Sequence, residues 1–276
     1  VSATAARNEA VSFSRLRHVP GVELMRVVRS SRRWRTYHES YTVSALMDSL
    51  GTEWRRGRER TMADRGDVLF AHPGDLTVAT AAAGTTSFVS IMLSVKLMEE
   101  AAAELGLRRA PCWRAAQIRD PALFAQIMRW QESLTDVKTV QHAQGAVREL
   151  VALMFARCVE RRTSEPAAAQ RPNVKRVCDY LQDNYQQRFG MCALAKAVGI
   201  SRHHLSRTFS AEFGVTPHAY AMQVRLAKAK GLLWSDLPVQ QIAVETGFAD
   251  QSHFTRNFRD AYGVTPVQYL RAIRPT

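Results

Sequence analysis

Arg207 and Arg256 occupy the same place in two copies of one segment. Arg207-Thr-Phe-Ser-Ala-Glu-Phe-Gly-Val-Thr-Pro-His-Ala-Tyr220 and Arg256-Asn-Phe-Arg-Asp-Ala-Tyr-Gly-Val-Thr-Pro-Val-Gln-Tyr269 agree at 7 of 14 positions, at an offset of 49. A guanidinium presents a planar fork of donors that matches the two acceptors on the major-groove edge of guanine, and an amide such as that of Gln251 matches adenine. Nearby hydroxyls, Ser206, Ser252 and Thr255 among them, suit phosphate oxygens. Such groups recognise a duplex and break no bonds. A single Arg would be read as solvated surface. Two Arg at equivalent positions of a repeated unit point instead to base or backbone contact.

Such side chains need short helices held at a fixed angle. In the first copy Leu194, Ala195 and Val198 form the apolar face of one helix, Gly199 supplies the turn, and Ile200 plugs the core beneath it. Ser201 suits the N-cap of the next helix, which Leu205 and Phe209 anchor. This leaves Arg202, His203, Ser206 and Arg207 on the other faces. Gly214 ends the helix, and Thr216-Pro217 opens another. The second copy repeats the plan with Ile242, Ala243, Gly247, Phe248, Phe254 and Phe258, leaving Gln251, Ser252, His253, Thr255 and Arg256 outward. It has one more residue between glycine and first anchor, so its turn should be longer. Two helices joined by a glycine turn set the second into a major groove. A helix over 219–234 should fix the two units relative to each other, and Gly231 within it costs about 1 kcal/mol relative to Ala.

The bulk numbers agree with a polyanionic partner. The formal charge is +13 and the pI about 10.2. Residues 171–276 hold 14 Lys and Arg against 7 Asp and Glu, and the first 170 hold 24 against 18, so the repeat is the denser in positive charge. Charge alone is equally that of a solvated basic surface. Cys112, Cys158, Cys178 and Cys192 are scattered and form no metal or disulfide framework, which suits a reducing cytosol. The first twenty residues have no signal-like apolar core, and no run is long enough to cross a membrane, so the expectation is a soluble cytoplasmic protein.

Residues 20–95 read mostly as short strands, at 21–28, 41–47, 68–70 and 87–93, separated by turn signals, which argues for a small barrel or sandwich. Helical periodicity follows from about Lys96: Leu123, Ile127, Trp130 and Leu134 share one face, and Val147, Leu150, Val151, Met154 and Cys158 another. Such helices are either a covering layer or a dimer surface. The charged, proline-containing stretch from Arg161 to Pro172 reads as a linker.

With these residues in view, the C-terminal segment resembles the DNA-binding domain of the AraC/XylS family. The resemblance is carried by Leu194-Ala-x-x-Val-Gly-Ile-Ser-Arg-x-x-Leu-Ser-Arg-x-Phe209, by Arg225-Leu-x-x-Ala-Lys-x-Leu-Leu233, and by Ile242-Ala-x-x-x-Gly-Phe-x-Asp-Gln-Ser-x-Phe-x-Arg-x-Phe258 with Tyr262-Gly-x-Thr-Pro266. It implies a transcription regulator, an activator more than a repressor, that places His203, Ser206 and Arg207 from one helix and Gln251, Ser252 and Arg256 from the other against bases. Arg202 and His253 complete the expected contact set. It also implies RNA polymerase as a partner. The N-terminal part resembles the cupin-type effector and dimerisation domain through His38-Glu-Ser-Tyr41, Trp54-Arg-Arg-Gly-Arg58 and Arg65-Gly-Asp-Val-Leu-Phe-Ala-His-Pro-Gly74.

The resulting expectation is an α+β chain. A cupin-like β-barrel with flanking helices, residues 1–162, would bind a small organic effector or mediate a homodimer through its helices. Residues 163–172 would be a linker, and residues 173–276 an all-α unit with two helix-turn-helix motifs. Trp34, Tyr37, His38, Tyr41 and Trp54 would line an effector pocket, or else be ordinary barrel aromatics. The rival reading is a metal-dependent cupin enzyme with a helical appendage. It needs a His-x-His pair, a carboxylate and a later His, but Glu39 and Ser40 follow His38, and Thr77 stands where the later His is expected. No metal, cofactor or catalytic residue is therefore assigned. Control by a protein partner with an empty barrel is the remaining alternative.

Overall fold

A computed structural model describes residues 9–16, 19–107, 112–133, 140–158, 172–187 and 189–274. Leu134 and residues 163–171 of the expected linker lie outside the described residues.

Among the described residues ten strands come first: β1 (Ala10–Arg15), β2 (Val22–Ser30), β3 (Trp34–Tyr37), β4 (Tyr41–Asp48), β5 (Thr52–Arg56), β6 (Glu59–Ala63), β7 (Asp67–Ala71), β8 (Leu76–Ala81), β9 (Thr86–Leu93) and, after α1 (Val95–Glu104), β10 (Gln117–Arg119). They form two antiparallel sheets, ordered β1-β2-β9-β4-β7-β10 and β3-β8-β5-β6. The sheets face each other as the halves of a small barrel. The pairing of β2 with β9 is broken by a bulge between Val27 and Ser30, where Arg29 has φ 53°.

Strand alternation sorts side chains between two environments. On β4, Tyr41, Val43 and Ala45 face outward, toward α1, α2 (Pro121–Ser133) and α3 (Val140–Arg157), while Thr42, Ser44 and Leu46 face the lumen. The outer core joins Val43, Val89 and Ile91 to Leu123, Ile127 and Trp130 of α2 and to Leu150 and Met154 of α3. The apolar stripes of α2 and α3 thus act as a covering layer. Among the described residues no helix is long and apolar enough to cross a membrane.

The helices that follow among the described residues are α4 (Pro172–Asp183), α5 (Met191–Val198), α6 (Arg202–Phe213), α7 (Pro217–Leu232), α8 (Val239–Glu245), α9 (Gln251–Tyr262) and α10 (Pro266–Ile273). They make two small heads joined by α7. The first head buries Leu194, Val198, Leu205, Phe209, Phe213 and Tyr220, and the second Ile242, Phe248, Phe254, Phe258 and Tyr269. Each fully buried Phe contributes about 1.5–3 kcal/mol relative to an exposed one.

Candidate nucleic-acid interface

Local chemistry sets the two reading helices. Gly199 sits in the left-handed region at φ 75° and closes α5, and the Ser201 hydroxyl then accepts from the amide of His204 at 3.2 Å to start α6. In the second head Gly247 has φ 78°, and Asp250 accepts from the amide of His253 at 2.7 Å to start α9. The cap lies two residues after the first glycine and three after the second, so the second turn is the longer. Gly214 and Gly263, at φ 70° and 77°, end α6 and α9. Thr216 and Thr265 cap α7 and α10, and Thr265 forms a reciprocal capping box with Gln268. Each such cap is worth about 1 kcal/mol.

The structure places Arg202, His203, Ser206 and Arg207 exposed on α6, and Gln251, Ser252 and Arg256 exposed on α9. Among the described residues no ion pair engages Arg202, Arg207 or Arg256. All seven lie in the N-terminal half of their helix, where backbone amides add positive potential. His253 differs. It is half-buried against the Phe248 ring at 5.5 Å, and its Nδ1 is buried without a hydrogen-bond partner. His204, absent from the expected set, is exposed beside His203.

Arg225 of α7 joins the two halves of the helical unit. It donates to the carbonyls of Tyr185, of Gln187 at 2.7 Å and of Gly247 at 3.2 Å. A Cβ on Gly247 would collide with the backbone carbonyl of Gln186, so only glycine fits that turn.

The barrel encloses a cavity of about 90 Å³. Trp34, His38 and Trp54 line it with Leu46, Phe88 and Met92. Tyr37 and Tyr41 do not, because alternation turns them away. Tyr37 meets Tyr220 of α7 edge-on at 5.7 Å, and Tyr41 packs on Trp113 at 5.7 Å in the outer core. Both nitrogens of His38 are engaged, Nδ1 with Thr42 at 2.9 Å and Nε2 with Thr77 at 2.8 Å. Burial, aided by the charge of Lys230 and opposed by Asp75, pushes its pKa down to about 4, so the ring is neutral. Among the described residues no group of three or more His, Cys, Asp or Glu is placed to hold a metal ion.

Comparison with known proteins fits this geometry. The family described as "Helix-turn-helix domain" matches residues 194–272, which run from within α5 to within α10. A probable AraC family transcriptional regulator from Rhodopseudomonas palustris is 30% identical, over 38% of this chain and 100% of its own, with a TM-score of 0.35. The chain belongs to the AraC family of transcriptional regulators. The HTH-type transcriptional regulator YbfI of Bacillus subtilis is 38% identical over 80 residues, 29% of each chain. This AraC-family chain spans less than two thirds of the length of the first curated relatives it matches. In fold, apo ToxT from Vibrio cholerae aligns over 97% of this chain and 100% of its own at a TM-score of 0.54, with 12% identity, and shares the order of a strand-rich part followed by a helical part.

Proposed function

We propose that this chain is a transcription regulator that reads duplex DNA with α6 and α9 in two successive major grooves, and that its barrel controls that reading. The observation that carries this is the pair of equivalent helix N-termini, each exposing an arginine, Arg207 and Arg256, that forms no ion pair among the described residues. Arg202, His203, Ser206, Gln251 and Ser252 flank them as further contacts, with His253 supporting α9 from within. The units are 1–162 for control, 163–172 as linker and 173–276 for DNA. The regulator is an activator that engages RNA polymerase and pairs as a homodimer through the helices beside the barrel, using faces other than the buried stripes.

An effector changes activity only if it binds one arrangement better than another. The lumen supports a compact, uncharged organic ligand. Its walls are aromatic and aliphatic, its polar groups are Ser and Thr hydroxyls with a neutral His38, and Arg32 at its rim is already paired with Glu9 at 2.7 Å. One structure of ToxT is described as bound to an unsaturated fatty acid. The neutral lumen here favours a molecule without a carboxylate.

The test is selection of duplexes from a random library by the full chain, followed by competition against scrambled duplex. Enrichment of one bipartite sequence supports the reading, and recovery of unrelated sequences overturns it.

A further inference from the structure

Two arginines of the barrel donate to backbone carbonyls of the heads at equivalent places, beside side-chain contacts such as that of Arg58 with Glu212 at 2.6 Å. Arg55 of β5 is buried and donates from Nη2 to the carbonyls of Ala211 and Glu212, the latter at 2.8 Å. Arg32, between β2 and β3, donates from Nη1 to the carbonyls of Arg259 at 3.0 Å and Asp260 at 3.3 Å. Ala211 and Asp260 are the same position of the repeat. In both heads the acceptors are carbonyls of the last turn of the reading helix, where its dipole favours a cation, and in the second head the Arg259 carbonyl takes the Gly263 amide as well. α6 has no basic residue of its own in that turn. The glycines that end both helices also abut the barrel. A Cβ on Gly214 would lie 2.7 Å from Arg55 Nη1, and one on Gly263 would lie 2.6 Å from Val11 Cγ2.

Each arginine is coupled to the cavity wall. On β5 the alternation puts Trp54 in the lumen and Arg55 outside against α6. The Arg32 guanidinium lies 5.5 Å over the Trp34 ring, which lines the lumen, while Glu9 holds Arg32 through Nε at 3.2 Å and Nη2 at 2.7 Å. Trp34 Nε1 donates to Ser30 Oγ, and Ser30 donates to the same Glu9. The apolar cores follow the same division. Tyr37, Leu76 and Val78 of the barrel join the core of the first head, and Phe13, Met25, Val27 and Trp34 join that of the second. The barrel therefore links the two heads a second time, in addition to α7.

We infer that Arg32 and Arg55 are positioning residues for DNA reading: they fix the separation and relative rotation of α6 and α9, and a displaced tryptophan wall shifts both helices together. This rests on the reading of α6 and α9 as DNA readers, and it adds two residues that touch no DNA.

The test uses the full chain and a duplex it selects from a random library, with the half-sites located by loss of protection in Arg207→Ala and Arg256→Ala. Anisotropy titrations compare this duplex with versions gaining or losing one base pair between half-sites, a change of roughly 3.4 Å and 35°. The wild type should lose at least about tenfold on either altered duplex, a factor of ten being 1.4 kcal/mol. Arg32→Ala/Arg55→Ala should lose less than about threefold, with native circular dichroism. Arg32→Lys/Arg55→Lys keeps the charge but loses the fork. It decides by the same criterion if the alanine variant does not fold. A clasp variant that discriminates spacing as sharply as the wild type overturns the inference while leaving DNA reading intact. If the wild type selects no duplex, the DNA reading fails, and the inference with it.

Discussion

Removing one carboxylate should loosen the junction between barrel and second head, by an amount the contacts define. Glu23 of β2 receives Lys230 of α7 at 2.8 Å and the hydroxyl of Tyr269 of α10 at 3.0 Å. Lys230 and Glu23 side chains are only 15% and 14% exposed. Stripping one partner from a buried ion pair costs about 3–5 kcal/mol, because the other charge is left unpaired. Here Lys230 also lies over the rings of Phe13, Tyr262 and Tyr269 at 5.3–5.6 Å, which offset about 1–2 kcal/mol of that loss. Glu23→Gln should therefore destabilise the chain by about 2–3 kcal/mol. Glu23→Gln/Lys230→Met removes the orphaned charge and should return to within about 1 kcal/mol of the wild type. Urea unfolding followed by tryptophan fluorescence and circular dichroism measures both. A single variant within about 0.5 kcal/mol of the wild type, or a double variant no more stable than the single, refutes the reasoning.

Other consequences follow from the same structure. Arg256→Ala should weaken specific binding by about 1–3 kcal/mol and relax preference at one or two base pairs, and an unaltered profile across a panel of single-base variants contradicts a base contact. Arg202→Ala should leave base preference intact and make the log–log salt dependence shallower by about 0.9, as loss of one phosphate contact requires; an unchanged slope contradicts that role. His38 is held neutral at a pKa of about 4, below the ordinary 6.5, so the unfolded chain binds the extra proton first and stability falls as pH drops from about 6.5 to 4. Between pH 7 and 5 this amounts to about 2 kcal/mol, so His38→Gln should flatten the pH dependence of urea unfolding by that much, and parallel curves for the two proteins refute it.

The heads were legible in the sequence because their geometry is written in local rules. Gly199, Gly214, Gly247 and Gly263 all adopt positive φ, and Ser201, Thr216 and Thr265 all cap. The one-residue difference between the copies is visible in the spacing of Gly247 from Phe254, and Asp250 is the resulting cap. The barrel was legible only in part. β2, β4, β7 and β9 carry apolar runs. β3 and β5 are broken by Arg35 and Arg55, whose outward side of the strand does not meet water alone: Arg55 is buried under α6. The same alternation separates Trp34 and Trp54 from Tyr37 and Tyr41, which aromatic character alone had grouped together. The arginine clasps left no local signal, since Arg55 and Arg32 find their acceptors 156 and 227 residues away.

The most direct test of DNA reading by two equivalent heads is the ratio of the full chain's affinities for its selected duplex and for a scrambled one, at about 0.15 M salt. The account predicts a ratio of at least about 10³, lost when Arg207 and Arg256 are both replaced by alanine. A ratio within about threefold of unity, or one that survives the double replacement, contradicts it.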